Sequence, residues 1–482
     1  MAAKKKRKEF ITAFSIIFII IYLLGALTYL LPAAELNKAG ELAVDGSGVV
    51  RATLPMVMMA PILGFENAID VSIFVLVLGG FLAIVGRSGA LETGIQVLVK
   101  KLKGNELALI PILMFIFSIG GTTYGMLEET VGFYALLAAA MVMAGMDTIV
   151  SSAIVLLGAG SGVLGSTINP FAVGAAVDAL PAGMEVNQGV IIAIGAILWI
   201  TTLLISIAFV MSYAKKVMKK KGSTILSLRE RKAMEMEYGG ETAKKQTDVH
   251  LTGTQKATLI LFALTFAVMI VGFIPWWAFD ITMPEWTGVL TGAVFGDWWF
   301  YDAAVWFLIM SVVIGLVTRT GEKKFVDTFI DGADDMVGVI LIIAIARGAS
   351  VLMQQTYLDN FIIHNAANIL ENVPEMVFAP MNYLLHVILS VVVPSSSGLA
   401  TLSAPIIGPL AAELNYSAEV TVMTMVAANG LVNLITPTCG AIMGGLALAK
   451  VEYSTWVKWA GKVVLTIGIA NIIILTALMV IL

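Results

Sequence analysis

Apolar blocks near the ~20 residues needed to cross a bilayer alternate with short polar connections along the chain. The spacing within them is helical or continuous, without the short alternating segments of an outer-membrane barrel. Residues 10–31, 71–86, 189–213, 256–275, 303–318 and 460–482 read as spans, and 336–357 as another, interrupted at Ala346-Arg347-Gly348. Residues 32–55 form a polar connection. Four stretches do not fit a simple crossing. Residues 106–119 make a helix of only roughly 20 Å, too short for a ~30 Å core, so Gly120 to Tyr124 is the expected tip of a re-entrant hairpin, 105–146. One helix over 147–180 would be ~50 Å long, so the Gly-rich run 158–170 is expected to break it. Residues 379–411 predict a second hairpin, tipped by Pro394 to Gly398, and 418–449 a second broken helix, interrupted at 433–440. Non-helical backbone at membrane depth is tolerated only where it is buried in protein or lines a wet cavity. Paired interruptions in corresponding positions of two halves point to the binding site of a secondary transporter built as an inverted repeat. The chain thus divides into a first half (1–213), a charged linker (214–255) and a second half (256–482).

Composition agrees. Of 482 residues, 59% are hydrophobic and 13% charged, with mean hydropathy +0.93, which excludes a soluble domain and gives an all-α, polytopic inner-membrane protein. Placing the basic start, Lys4 to Lys8, in the cytoplasm puts all but three of the 29 Lys and Arg on that side. The exceptions are Lys38 and Arg51, outside, and Arg347, within the membrane. The N-terminus is then cytoplasmic and the C-terminus external, in a bacterial-type plasma membrane. The first block is read as a retained span, since no small-residue cleavage site precedes Pro32.

The one cysteine, Cys439, cannot form an internal disulfide, and His250, His364 and His386 lack metal-ligand spacing. No phosphate-binding glycine loop suggests ATP drive, no basic patch suggests nucleic acid, and no metal or cofactor is expected. His386 lies about 14 Å along a helix from Ser395, which argues against a nucleophilic dyad between them.

The runs Gly165-Ser-Thr-Ile-Asn-Pro-Phe-Ala-Val-Gly174, Gly125-Met-Leu-Glu-Glu-Thr130 and Ile435-Thr-Pro-Thr-Cys-Gly-Ala-Ile-Met-Gly444 resemble the YfcC-type basic amino acid antiporters. These are grouped with the C4-dicarboxylate anaerobic carriers and arginine/ornithine exchangers of the ion transporter superfamily. The resemblance covers nearly the whole chain. It implies paired hairpins, two broken helices, a homodimer and elevator-type alternating access. Sodium-coupled relatives carry Ser-Asn-Thr at the hairpin tips. Here Gly121-Thr122-Thr123 and Ser395-Ser396-Ser397 stand instead, so coupling to H⁺ or Na⁺ is left open.

Glu128 and Glu129 are costly inside a membrane and are expected to face a partner or an aqueous path, binding an ammonium or guanidinium group or carrying a proton. Capping of the hairpin's second arm, with Thr122 or Thr123, is the structural alternative. Arg347 either pairs with one of the glutamates or forks onto a substrate carboxylate. Ser166, Thr167, Asn169, Ser395, Ser396, Ser397, Thr401, Asn433, Thr436 and Thr438 offer hydroxyls and amides at the breaks. Gly165, Pro170, Pro394, Gly398, Pro437 and Gly440 mark the hinges. Together these residues predict a non-enzymatic carrier exchanging cationic amino acids such as arginine and ornithine, with a C4-dicarboxylate as the other candidate substrate.

Overall fold

The computed structural model describes residues 13–35, 44, 46–91, 93–94, 97, 105–180, 184, 186–220, 223–239, 250–279, 281–371 and 373–482. The basic N-terminus, Lys38, the segment carrying Lys100, Lys101 and Lys103, and the centre of the linker lie outside these residues. Among the described residues the protein is helical apart from one isolated bridge, Ala33 to Val49, and nine helices are long and apolar enough to cross a membrane.

The first half comprises α1 (Ala13–Leu27), α2 (Leu54–Asn67), α3 (Ile69–Arg87), α4 (Leu109–Tyr124), α5 (Val131–Met143), α6 (Thr148–Gly165) and α7 (Gln188–Lys219). After α8 (Leu228–Tyr238), the second half follows: α9 (Gly253–Phe273), α10 (Phe300–Val317), α11 (Glu322–Thr356), α12 (Leu358–Leu370), α13 (Glu375–Val392), α14 (Ser396–Glu413), α15 (Ala418–Val432), α16 (Gly440–Leu448) and α17 (Tyr453–Ile481). Side-chain oxygens start many of these helices. Asp147 accepts from Val150 N at 3.1 Å, Asn187 from Gly189 N at 2.9 Å, and Ser227 with Glu230 and Thr252 with Gln255 form capping boxes.

Two antiparallel crossings organise the halves. α6 and α15 lie at the centre, and every residue of the 18-residue α6 is buried, whereas only 33% of the best windows of α9 and α17 are. The centre of the protein is therefore the pair of interrupted helices, and the peripheral helices face outward. α4 and α5 both pack on α6, and α13 and α14 both pack on α15, so each helical pair flanks one interrupted helix.

The second crossing runs α2–α3 against α11. Gly64 meets the Ala344 carbonyl and Gly348 backbone, and Gly79 meets Gly332. Here the structure departs from the sequence reading twice. α11 is one uninterrupted helix of 35 residues through Ala346-Arg347-Gly348, because Gly348 admits close backbone contact with Ala60 and Pro61 instead of ending the helix. Residues 54–67, left unassigned apart from the end of a loop, form α2, capped by Thr53 with Pro55 in its first turn. Gly64→Leu would drive its side chain into the α11 backbone, and should abolish a monodisperse species in detergent gel filtration. A wild-type elution profile would show that the crossing tolerates separation.

The first tip also moves. α4 continues through Gly120 to Tyr124, giving 19 helical residues from Glu106 with its leading 3-10 turn, long enough to cross. Gly121 packs on the Ala159 carbonyl rather than breaking the helix. The turn is Gly125 to Leu127, and Gly125 adopts φ 79°, the left-handed cap that glycine accommodates. The linker is not loop throughout: α8 docks by Tyr238 Oη on the Leu448 carbonyl, and Glu230 accepts from Glu452 N at 2.9 Å.

Candidate functional site

Both tips and both helix breaks converge on one cavity of about 220 Å³, below the ~300 Å³ low end of drug-sized pockets and suited to a small metabolite. Each break has its own local cause. α6 stops where Ser166 turns left-handed (φ 39°), and Asn169 closes the turn by donating to Ser166 Oγ at 2.9 Å and accepting from Phe171 N at 2.9 Å. Pro170 then starts a π turn, 170–174. α15 ends at Val432, and Pro437 lies within the non-helical 433–439 segment before α16 begins.

Hydrogen bonds lock each tip to its break. On the first side, the Thr122 and Thr167 hydroxyls lie 3.0 Å apart and Thr167 N donates to Thr122 Oγ1 at 3.1 Å. On the second, Asn433 Nδ2 donates to the Pro394 carbonyl at 3.0 Å and to Asn429 Oδ1 at 2.9 Å, while Ser396 Oγ donates to Asn429 Oδ1 at 2.8 Å. Thr438 Oγ1 donates to the Val391 carbonyl at 2.6 Å and is shared with Thr436. Removing Asn429 would take the acceptor from the buried Asn433 amide and the half-buried Ser396 hydroxyl, at about 1–3 kcal/mol. Asn429→Ala should therefore unfold at lower temperature; an unchanged midpoint would mean the tip is held elsewhere.

Of the residues singled out above, the cavity gathers Glu128, Glu129, Asn169, Arg347, Pro394, Ser395, Ser396, Ser397, Asn433, Thr438, Cys439 and Gly440. Thr122, Ser166, Thr167 and Thr436 brace the turns just behind it. Thr123 and Thr401 bond within their own helices, to the Ile119 and Ser397 carbonyls, and do not line it; Thr401 is exposed. Gly165, Pro170, Gly398 and Pro437 also stand outside the lining, at the turns.

The glutamates divide their roles. Glu129, 3% exposed, accepts from Leu127 N at 3.0 Å and so fixes the turn, while Glu128 is half-buried and lines the same cavity. Arg347 forms no ion pair within 4.0 Å among the described residues, so its expected pairing with either glutamate is not made here. The helix directions add a field. α14 and α16 both begin at the cavity, presenting the positive ends of their dipoles, with Ser395 capping α14. α4 ends there, presenting carbonyls.

Sequence reasoning missed several members. Asp70, in the first turn of α3, lines the cavity, and its Oδ2 accepts from the Trp299 indole N–H at 2.7 Å. The Trp299 ring meets Phe171 at 4.4 Å between centroids. Asp70 had a legible signal, being a carboxylate in an apolar run like Glu128, and Asn429 lies one turn before Asn433. Trp299 had none, because it belongs to a Trp-rich connection, 276–302, and tryptophans are common at a membrane–water interface. His386, argued above to be remote from Ser395, instead bonds Ser403 Oγ at 2.6 Å and the Asn382 carbonyl at 2.8 Å, fully buried between α13 and α14.

Over residues 10–480 the sequence matches the family of C4-dicarboxylate anaerobic carriers. The chain belongs to that family. Two relatives are similar over much of their length. A protein of uncharacterised function from Haemophilus influenzae is 30% identical over 512 residues, covering 95% of each chain. The Escherichia coli K12 protein provisionally named basic amino acid antiporter YfcC is 29% identical over 406 residues, covering 82% of this chain and 74% of its own. Among solved structures, the Alcanivorax borkumensis YdaH transporter aligns with TM-score 0.47 and 16% identity over 96% of this chain and 98% of its own. MtrF of Neisseria gonorrhoeae, described within a class of antimetabolite efflux pumps, aligns with the same score and identity over 98% and 96%. The protein is thus a multi-pass membrane transporter of this carrier family.

Proposed function

We propose that this carrier exchanges cationic amino acids of the arginine and ornithine type across the plasma membrane. The observation that carries the proposal is the charge of the cavity: three carboxylates, Asp70, Glu128 and Glu129, face one guanidinium, Arg347. A dianion would meet net repulsion there, whereas a cationic amino acid satisfies both signs. Its α-carboxylate is received by the Arg347 fork and the helix starts at Ser395 and Gly440. Its side-chain cation is received by Glu128 and Asp70, beside the α4 carbonyl end. The relative named as a basic amino acid antiporter is consistent with this.

The distribution of the charges over two units suits an elevator-type motion. Glu128, Glu129 and the serines belong to the unit stitched to α6 and α15, and Asp70 and Arg347 to the crossing pair α3 and α11. In an elevator-type cycle the first unit slides along the second, so the substrate bridges both only in the state seen here and is released as they part. In this reading the helical pairs α4/α5 and α13/α14 are re-entrant because their tips end in the central cavity, although α4 is long enough to cross, and the assembly is a homodimer with a cytoplasmic N-terminus and an external C-terminus.

A dicarboxylate is the second reading, favoured by the two helix N-termini that meet Arg347 at the cavity and by the family's description. It requires the glutamates to be protonated. Proteoliposomes preloaded with ornithine or with succinate separate the two. Labelled arginine uptake that depends on internal ornithine is expected; uptake of succinate alone would sink the proposal.

A further inference from the structure

A second large cavity, about 490 Å³, opens between the last turns of α7 and the first turns of α17, away from the transport site. α7 contributes Phe209, Ser212, Tyr213 and Lys216, spaced so that all face one side, and α17 contributes Thr455, Lys458, Trp459 and Lys462 in the same way. Ile225 and Ser227 roof it. The lining carries three lysines against one acid, Glu452.

Basic and aromatic side chains share the cleft. Lys216, Lys458 and Lys462 are exposed at the cleft, and the tilted ring pair Tyr213 and Trp459, 5.6 Å between centroids, forms its wall. Further along the same two helices, Leu204, Leu465 and Ile469 expose aliphatic side chains outward. Basic and aromatic groups followed by an aliphatic flank are the arrangement of a membrane–water interface, met here within a concave site. A purely soluble anion would have no use for the apolar part, and a neutral lipid none for the lysines.

We propose that this cleft binds an anionic phospholipid, with the headgroup phosphate held by Lys216, Lys458 and Lys462 and the acyl chains laid along α7 and α17. The wall is connected to the transport machinery. Tyr213 Oη donates to Asp147 Oδ2 at 2.7 Å, and Asp147 caps α6, whose far end forms the cavity break. A bound lipid therefore fixes the base of the interrupted helix.

The test uses full-length protein in non-ionic detergent, with lipid retention read by native mass spectrometry. Wild type should retain phosphatidylglycerol in preference to phosphatidylcholine, and millimolar inorganic phosphate should leave the bound lipid in place. The K216Q/K458Q/K462Q variant should lose affinity by on the order of 100-fold, each lysine being worth roughly fivefold. A K215Q/K219Q/K220Q control, altered at neighbouring lysines that do not line the cleft, should keep it. Should the triple variant fail to fold, Lys458→Gln alone carries the test with about a fivefold loss. Equal retention by the triple variant, equal retention of phosphatidylcholine, or displacement by free phosphate would each overturn the proposal.

Discussion

Glu128→Gln is expected to lower ornithine-dependent arginine exchange by on the order of 100-fold while leaving the folded protein intact. Hydrogen bonds to charged groups are worth about 1.5–3 kcal/mol each, and a carboxylate facing a guanidinium in a site screened from water makes at least one and adds direct attraction. Glutamine keeps the shape and loses the charge. Its neighbour supplies the internal control. Glu129 is engaged with Leu127 N, a bond that a glutamine oxygen still accepts, so Glu129→Gln should retain more activity than Glu128→Gln. Exchange at the wild-type rate in Glu128→Gln, measured at equal incorporation into liposomes, would remove this carboxylate from substrate binding. It would leave Asp70 as the cation's partner.

Arg347→Lys should raise the apparent KM for arginine by about 10- to 100-fold. Lysine keeps the positive charge but presents no planar fork, so one of two parallel bonds to a carboxylate is lost. Arg347 has no ion pair within 4.0 Å among the described residues, so the substitution strands no buried partner and should leave thermal stability unchanged. Agmatine, which is arginine without its carboxylate, isolates the contact. Its power to compete for the site should be the same in wild type and Arg347→Lys. If the substitution weakens agmatine and arginine equally, Arg347 is not the carboxylate's partner and the orientation proposed for the substrate fails.

Asp70 and Trp299 give these experiments a structural frame. The Trp299 indole holds one oxygen of Asp70 and its ring rests on Phe171, one residue past the proline that follows Asn169. In the binding mode proposed above, the substrate cation at Asp70 would lie beside Trp299 and Phe171, which line the same cavity. Asp70 at the start of α3 and Trp299 just before α10 both line the cavity.

Much of this was legible from residue order. The hydrophobic blocks specify a helical membrane protein, because the bilayer leaves a backbone few other solutions. The Gly- and Pro-containing interruptions mark the cavity, since unpaired backbone at that depth needs buried partners. Glu128, Glu129 and Arg347 stand out because charge in an apolar run is costly. Glycine proved the ambiguous letter. At Gly125 it turns the chain, but at Gly121 and Gly348 it lets two helices touch, and a sequence read alone does not tell the two uses apart.

The sequence by itself determined the class of the protein, the duplicated interruptions and most of the polar residues at them, all of which depend on local composition and on the bilayer. Only the tertiary structure decided which of those residues meet. It brought Asp70 to Glu128 and Arg347, kept Thr401 out of the cavity that Ser396 and Ser397 of its own helix line, gave Asn429 the work of holding the second tip, and left Arg347 without an ion pair among the described residues. Those outcomes follow from where α3 crosses α11 and where α6 crosses α15. A crossing is set by shape complementarity between segments hundreds of residues apart, which no local pattern encodes.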